Sequence, residues 1–470
     1  MIWNLEQYSN NVALYDDEGQ SVTYGQLVNE TSKLAGLINE RSLVFVLCQN
    51  SIGSIVGYVS CINNRIPVAL INSRLDDELL NNLIKAYSPS YLWVPKSQQE
   101  TFTNEAVIYE CFEYVLLRTN CNRKYEINDS LALLLTTSGS TGSPKFVRQS
   151  YINILSNAES IVKYLELTSN ERPITTLPMN YTYGLSIINS HLLVGATILV
   201  TNKSLLQKEF WSFFKEQKAT SFGGVPYTYE ILNKLRFFKM ELPSLKYMTQ
   251  AGGKISLDLH KKFAEYALAT KKHFIVMYGQ CEATARMGYL PSEKALEKCG
   301  SMGIAIPGGK FSLIDEYNKE IEQPNTIGEL VYYGSNVTMG YAECGEDLSK
   351  DDEWNGILHT GDMAYYDEDG YYYMSGRKKR FLKIFGNRVN LDEIDRMVAS
   401  EFNSIEFVSS GVDDHMYLFL TNEKYSNDVK LFLSKKTGLN QSAFKTIVID
   451  KMPRNEYGKI QYKQLATYYE

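Results

Sequence analysis

Histidine is scarce in this chain, five residues in 470, and no Ser/His/Asp arrangement marks a hydrolytic nucleophile. Cysteine is sparse too. Cys48, Cys61, Cys111, Cys121, Cys281, Cys299 and Cys344 are scattered, odd in number and without a Cys-x-x-Cys pair. That excludes a disulfide frame and a zinc site and fits reduced thiols. No apolar run approaches the roughly 20 residues needed to span a bilayer, so no membrane insertion is expected. Long blocks of one charge are missing and the net charge is −6, which argues against a nucleic-acid partner. The short run Arg377-Lys378-Lys379-Arg380 therefore needs another account. The opening "MIWNLEQYSNNVALYDDEG" has no basic n-region and no apolar h-region, so a cytoplasmic protein is expected. Internal repeats and low-complexity segments are absent.

What the chain does have is length enough for two or more domains and 34 tyrosines, which suit half-buried pleated surfaces. Short apolar runs read as strands: "LVFVLC" (43–48), "PVALI" (67–71), "YLWV" (91–94), "LALLL" (131–135), "ATILV" (196–200), "SFGGV" (221–225) and "HFIVMYG" (273–279). Between several lie helix-period segments. In "SYINILSNAESIVKYLEL" the spacing puts Ile152, Leu155, Val162 and Leu165 on one side, with Ser150 as N-cap. This rhythm predicts an α/β fold of layered, mainly parallel sheets. From about 328 the texture changes to hairpins, with Asp367-Glu368-Asp369-Gly370 as a turn, then an amphipathic helix in "NLDEIDRMVASEF". The division expected is a large domain over 1–376 and a small α+β domain over 377–470.

The stretch "LLLTTSGSTGSPKFV" (133–147) sets a buried-looking run against a loop of small polar residues that ends in a cation. A Walker loop needs Gly-Lys followed by Ser or Thr. Here Gly142 precedes Ser143-Pro144-Lys145, so that reading fails. The hydroxyls of Ser138, Ser140 and Thr141, the backbone donors at Gly139 and Gly142 and the Lys145 ammonium still suit a triphosphate. Taken alone, the segment serves a phosphate cradle and a plain turn alike.

Four segments together resolve the choice. The loop at 137–145, "MYGQCEAT" (277–284), "HTGDMAYYDEDGYYYMSGRKKRFLKIFGNRVNLDEID" and "PRNEYGKIQ" (453–461) resemble, in order and spacing, the motifs of the adenylate-forming (AMP-binding) enzymes. These include acyl-CoA synthetases, peptide-synthetase adenylation domains and luciferases. The resemblance covers about 130 to 460 and implies a large domain and a small mobile domain joined by a hinge. It also implies ATP and Mg²⁺ as requirements, a small carboxylic acid as substrate, and coenzyme A or a phosphopantetheinyl carrier protein as thiol co-substrate.

It further implies roles. Thr137, Ser138, Gly139, Ser140, Thr141, Gly142 and Lys145 would hold the phosphates; Glu282, with Thr141, would hold Mg²⁺. Ala251, Gly252 and Gly253 would face the adenine, beside Tyr278 and Gly279. Asp362 and Arg377 would hold the ribose. Lys459 would reach the reacting carboxylate and α-phosphate, Lys379 would be the hinge, and Lys383 and Gly386 would serve the thiol side. One departure is plain: the family's usual Thr before that Glu is Cys281 here, a weak donor. A carboxylate is already ionised at neutral pH, so the chemistry asks for cations and donors rather than a general base.

The segment "LPMNYTYGLSIINSHLL" (177–193) sits where the family places its acyl pocket, implicating Asn180, Tyr181, Tyr183 and, beyond it, Tyr227. Amino-acid-activating members carry an Asp where this chain has Tyr181, and a buried ammonium without a carboxylate is costly. A non-amino acid is therefore expected, with an amino-acid adenylation enzyme and a non-catalytic nucleotide-binding homologue as alternatives. Those tyrosines serve equally as core residues.

Overall fold

A computed structural model describes residues 2–38, 41–121, 123–136, 145–384, 387–455 and 458–469. By contacts the chain forms two compact units: Met1–Lys310 with Tyr332–Leu358, and Phe311–Val331 with His359–Glu470. The second unit thus takes in stretches on the N-terminal side of residue 377.

The first unit is built on an eight-stranded sheet. Its middle runs Leu131–Thr136, Val68–Asn72, Val44–Cys48, Tyr91–Pro95, with every neighbour parallel. Those strands lack hydrophobic/polar alternation because both faces are covered; Val44–Cys48 and Tyr91–Pro95 are buried throughout. Beyond Leu131–Thr136 the strands Phe146–Ser150 and Tyr341–Ala342 add antiparallel. A second sheet sets Ser221–Gly224, Tyr247–Gln250 and His273–Tyr278 parallel. Gly288–Tyr289 and Ile304–Ala305 follow antiparallel. The carboxyl ends of parallel strands are where open α/β sheets hold ligands. At those ends stand Ala251-Gly252-Gly253 and Gly279.

All seven apolar runs are strands, and the mixed α/β architecture is the expected one. The helix Tyr151–Leu165 forms with Ser150 as its N-cap, accepting from the Asn153 amide in a capping box. Its expected apolar stripe is a correction. Ile152 is 68% exposed, and the buried side carries Ile154, Asn157, Ala158 and Ile161. The face is set by polar side chains with inward partners: Asn153 Nδ2 donates to the Ser335 and Val337 carbonyls (2.8 and 2.7 Å). Asn157 Nδ2 donates to the Arg286 carbonyl (2.8 Å).

The second unit carries a hairpin of the strand Ile357–Tyr366, from His359 on, with Tyr372–Arg377, closed at the expected turn, where Asp367 Oδ1 accepts from the Asp369 and Tyr371 amides. The strands Phe407–Val412, His415–Leu420 and Phe444–Val448 form a three-stranded sheet. The helix Leu391–Glu401 packs Leu391, Ile394 and Val398 into that unit's core with Met416 and Leu418.

Candidate functional site

In the first unit the strand His273–Tyr278 runs into Gly279 and a short 3₁₀ turn, Cys281–Ala283, which carries Glu282. The turn doubles back sharply. Thr284 and Ala285 hold φ of 53° and 96°, conformations costly for side-chain-bearing residues, and surrounding bonds enforce them. Asn336 Nδ2 donates to the carbonyls of Ala283 and Arg286 (2.7 and 3.0 Å), and Thr284 Oγ1 donates to that of Asn336 (2.7 Å). The Thr338 amide donates to the Glu282 carbonyl (3.0 Å). A methyl at Gly279 would fall inside the Ala285 carbonyl oxygen. Glycine is required there by space.

Glu282 meets Lys145 through a residue between them. The Tyr341 hydroxyl donates to Glu282 Oε1 (2.9 Å), and the Lys145 ammonium lies 3.6 Å from the centre of the Tyr341 ring. Tyr341 is fixed by pairing with Val147 and by an edge contact with Trp354 at 5.1 Å. Burial first, and the Glu282 charge second, push its phenol well above the usual range, so it is a proton donor at neutral pH. Among the described residues, Glu282 Oε2 has no hydrogen-bond donor and no group of three or more His, Cys, Asp or Glu stands together to cage a metal. One hard oxygen from one carboxylate fits Mg²⁺, which commonly takes one or two carboxylates and completes its shell with water and substrate phosphate. Thr137, Ser138, Gly139, Ser140, Thr141 and Gly142 lie outside the described residues.

The Ala251-Gly252-Gly253 bend follows Tyr247–Gln250. The Gln250 side-chain amide ties its carbonyls together, donating to those of Ala251 and Gly253 (3.2 and 2.9 Å). Gly252 has φ of 82°, and a methyl there would stand 2.5 Å from the Tyr181 hydroxyl. Tyr181 thus lies directly against this bend. Tyr181 and Tyr183 are ring neighbours, with centroids 6.3 Å apart at 73°, and the Tyr183 hydroxyl donates to Thr249 Oγ1 (2.7 Å). Burial pushes both phenols up, with the Cys281 thiol also acting on Tyr181. Asn180 and Cys281 are buried. Tyr227, in the first turn of Pro226–Lys234, is 52% exposed. Tyr278 is half-buried, and its hydroxyl accepts from Gln280 Nε2 (3.3 Å). A separate hollow of about 900 Å³, lined by Arg65, Ser150, Lys310 and Asp351 among others, holds none of the expected site residues.

In the second unit Asp362 and Arg377 are cross-strand partners, Arg377 Nε 3.4 Å from Asp362 Oδ1. Asp362 is buried and Arg377 largely exposed, so the carboxylate sits within the fold and the guanidinium at its surface. Lys459 follows Gly458 in a turn: its amide donates to Asn455 Oδ1 (3.0 Å), and the Asn455 amide to the Lys459 carbonyl (2.9 Å). Lys379 lies in the 3₁₀ turn Lys378–Arg380 and Lys383 on the strand Phe381–Ile384. Gly386 lies outside the described residues. The basic run has internal partners. Lys378 pairs with Glu329 at 2.6 Å, and Arg380 bridges Asp392 and Asp395, each at 2.5 Å.

Three residues at the site were not expected from the sequence. Tyr341 lies far downstream in "TMGYAEC", with no pattern of its own. Asn336 is a buried polar residue that closes the Glu282 turn. Arg286 had a signal: a charged residue inside the otherwise apolar continuation "ATARMGYL".

The family model described as AMP-binding enzyme matches residues 2–342, and the chain belongs to that family. An oxalate–CoA ligase of Arabidopsis thaliana is 27% identical over 355 residues, 73% of this chain and 68% of the relative. A 2-succinylbenzoate–CoA ligase of Bacillus licheniformis is 25% identical over 461 residues, 94% of each. In three dimensions the o-succinylbenzoate CoA synthetase MenE of Bacillus subtilis, solved with its acyl-adenylate intermediate, superposes with a TM-score of 0.79 at 22% identity. That match covers 98% of this chain and 97% of MenE. The same enzyme solved with ATP and magnesium also gives 0.79, at 21% identity and covering 98% of each chain.

Proposed function

We propose that this protein is an ATP-dependent acid–thiol ligase. It joins a small carboxylic acid to AMP, releasing pyrophosphate, and then passes the acyl group to the thiol of coenzyme A, releasing AMP and a proton. The observation that carries this reading is the convergence of Lys145 and Glu282 on Tyr341, beside the turn after Tyr278, in a chain of the AMP-binding family. The long matches to two CoA ligases support coenzyme A as acceptor; a phosphopantetheinyl carrier remains the other thiol this chemistry could use.

The difficulty of the first step is electrostatic, because one anion must attack another. Lys145 supplies a cation beside the strand pair from which the phosphate loop departs. Fixed positive groups aimed at developing charge account for much of catalysis in such transfers. Mg²⁺, when bound at Glu282 with Thr141, neutralises phosphate charge. Tyr341 holds the Glu282 carboxylate in place and keeps the Lys145 ammonium over its ring. The Ala251-Gly252-Gly253 bend offers the adenine a surface without side chains. Asp362 and Arg377 are assigned to the ribose, and Asn180, Tyr181 and Tyr183 to the acid. Lys459 is assigned to the adenylation step, and Lys379, Lys383 and Gly386 to the hinge and thiol side.

A second reading, amino-acid activation, is disfavoured at Tyr181. The titratable groups acting on that phenol are the Cys281 thiol and the Tyr183 phenol, and neither would compensate a buried ammonium. ATP–pyrophosphate exchange across a panel of carboxylic and amino acids, followed by mass detection of the CoA thioester, tests the proposal. Exchange with non-amino acids and a thioester product are expected. Exchange confined to α-amino acids would reject the substrate class, and no exchange with any acid would reject the activity.

A further inference from the structure

Three arginines in the described residues are buried, and they are not alike. Arg148 meets Glu353 at 2.7 Å and also donates to backbone carbonyls. Arg380 bridges Asp392 and Asp395. Arg286, 2% exposed, has no carboxylate partner among the described residues. Its Nε donates to Ser186 Oγ (3.0 Å), and its Nη1 to the Tyr164 hydroxyl (2.8 Å) with the Met277 sulfur 3.4 Å away. Its guanidinium carbon stands 5.4 Å from the centre of the Tyr183 ring. Nη2 makes no hydrogen bond within the described residues.

These partners supply no negative charge. Burial holds Tyr164 and Tyr183 above the usual phenol range, so both are neutral. His191, on the same helix as Ser186, is pushed down to about 4 and is neutral as well. A guanidinium carries its charge at any pH of interest, and the groups bonded to this one within the described residues are neutral. A buried guanidinium without an anionic partner is costly to a fold, and an anion brought by a ligand would offset that cost.

Its position says which ligand. Arg286 stacks on Tyr183, Tyr183 neighbours Tyr181, and Tyr181 lies against Gly252. The guanidinium thus touches Tyr183, one of the two tyrosines assigned to the acid, and Tyr181 stands between Tyr183 and the adenine-facing bend. The backbone of Arg286 is pinned by Asn157 and Asn336, so the side chain emerges from a fixed point.

We propose that Arg286 receives a second anionic group of the acid substrate, and that the substrate is a dicarboxylic acid: one carboxylate is activated and the other pairs with this guanidinium. This rests on the acid-activating reading above and narrows its substrate. Arginine suits the role because its planar fork accepts a carboxylate with two parallel hydrogen bonds.

The test is ATP–pyrophosphate exchange by the full-length enzyme with oxalate, malonate, succinate, glutarate and 2-succinylbenzoate. Each is set beside its monoamide or monomethyl ester and a monocarboxylic acid of equal length. At least one diacid should exceed its neutral partner by about 10- to 100-fold in kcat/KM, the range for a charged hydrogen-bonded contact. Arg286→Gln should erase that ratio, and Arg286→Lys should keep part of it. The ratio, not the total rate, is the readout, because general loss of packing lowers both members of a pair alike. Wild-type enzyme that uses neutral partners or monocarboxylic acids as well as diacids overturns the assignment while leaving acid activation standing. An Arg286→Gln enzyme that keeps the full diacid preference overturns it too. No exchange with any acid in the panel removes the acid-activating reading itself, and this inference with it.

Discussion

The ammonium of Lys145 lies over the ring of Tyr341, 3.6 Å from its centre, while the hydroxyl of that ring donates to Glu282. One side chain therefore holds both a cation and a carboxylate, through two different parts of itself, and the two can be separated. Tyr341→Phe keeps the face under Lys145 and removes the donor to Glu282. Groups that orient a metal-binding carboxylate are commonly worth 10- to 100-fold in metal affinity. The Mg²⁺ concentration for half-maximal adenylation should rise about 10-fold, with KM for ATP at saturating Mg²⁺ little changed. Tyr341→Ala also removes the ring under Lys145, a contact worth about 0.5–2 kcal/mol, and should raise KM for ATP as well. If the Phe variant matches wild type across a magnesium titration, Tyr341 does not position Glu282.

Gly279 is fixed by space alone. Its Cβ would enter the Ala285 carbonyl oxygen, and that carbonyl belongs to a turn held by Asn336 and Thr284 with two residues already at positive φ. The turn has nowhere to retreat. Gly279→Ala should destabilise by about 3 kcal/mol, the upper part of the usual overpacking range, and should displace Glu282 enough to abolish adenylation. Gly253→Ala is the contrast, since its methyl would meet only two ring carbons of Pro226, at 3.2 and 3.4 Å, and should fold normally. Thermal unfolding of the two variants decides it; equal stability would refute the spatial argument.

The sequence carried the layered α/β architecture because covered parallel strands are continuous apolar runs, and "LVFVLC" or "LALLL" has few other uses. It also carried the motif order through the family resemblance, and at 133–145 and 273–284 the motif joins an apolar strand to small residues. The hairpin of Ala106–Cys111 and Tyr114–Arg118 was silent. No residue of its outer strand is buried, and its turn places Phe112 and Glu113 at φ of 48° and 57° where Asn-Gly is the usual sign. The stripe expected on Tyr151–Leu165 was misread because Asn153 and Asn157 are buried to satisfy carbonyls from distant segments, and periodicity counts such residues as polar and outward. Tyr341 escaped for a related reason, as did the role of Arg286, whose charge alone stood out in "ATARMGYL". Their significance lies in what stands opposite them across the fold, at Lys145, Glu282 and Tyr183, and spacing along one chain does not show it.

His191 links stability to pH. Its Nε2 accepts from the Tyr247 hydroxyl (2.9 Å) and its Nδ1 donates to the Ile187 carbonyl (2.7 Å), so the folded ring is neutral. Burial, with Arg286 adding to it, lowers its pKa from 6.5 to about 4. The unfolded chain takes up a proton below 6.5 that the folded chain refuses until about 4. The stability tied to the neutral ring is complete above pH 6.5 and drains away as pH falls through that interval, amounting to roughly 3 kcal/mol. His191→Gln should lower stability at pH 7 and flatten this acid loss. His260, also pushed down by burial, leaves a smaller residual slope. Urea unfolding of both proteins between pH 7 and 4.5 measures it, and an unchanged slope in the variant would remove His191 as the source.

Lys459 separates catalysis from binding. In its turn the backbone makes the structural bonds: the amide to Asn455 Oδ1, the carbonyl from the Asn455 amide, with Gly458 at φ of 74° just before it. Truncating the side chain leaves those backbone bonds in place, so Lys459→Ala should still fold. If the ammonium acts on the developing charge between carboxylate and α-phosphate, its loss should cost about 100- to 1000-fold in the adenylation rate. A group that acts only as the charge develops adds little to the ground state, so ATP affinity should stay within about threefold. The thioester step, started from synthetic acyl adenylate and coenzyme A, should be nearly unaffected, which a general structural defect would not spare. Equal losses in the two half-reactions would mean that Lys459 supports the fold of its unit and takes no part in the first step.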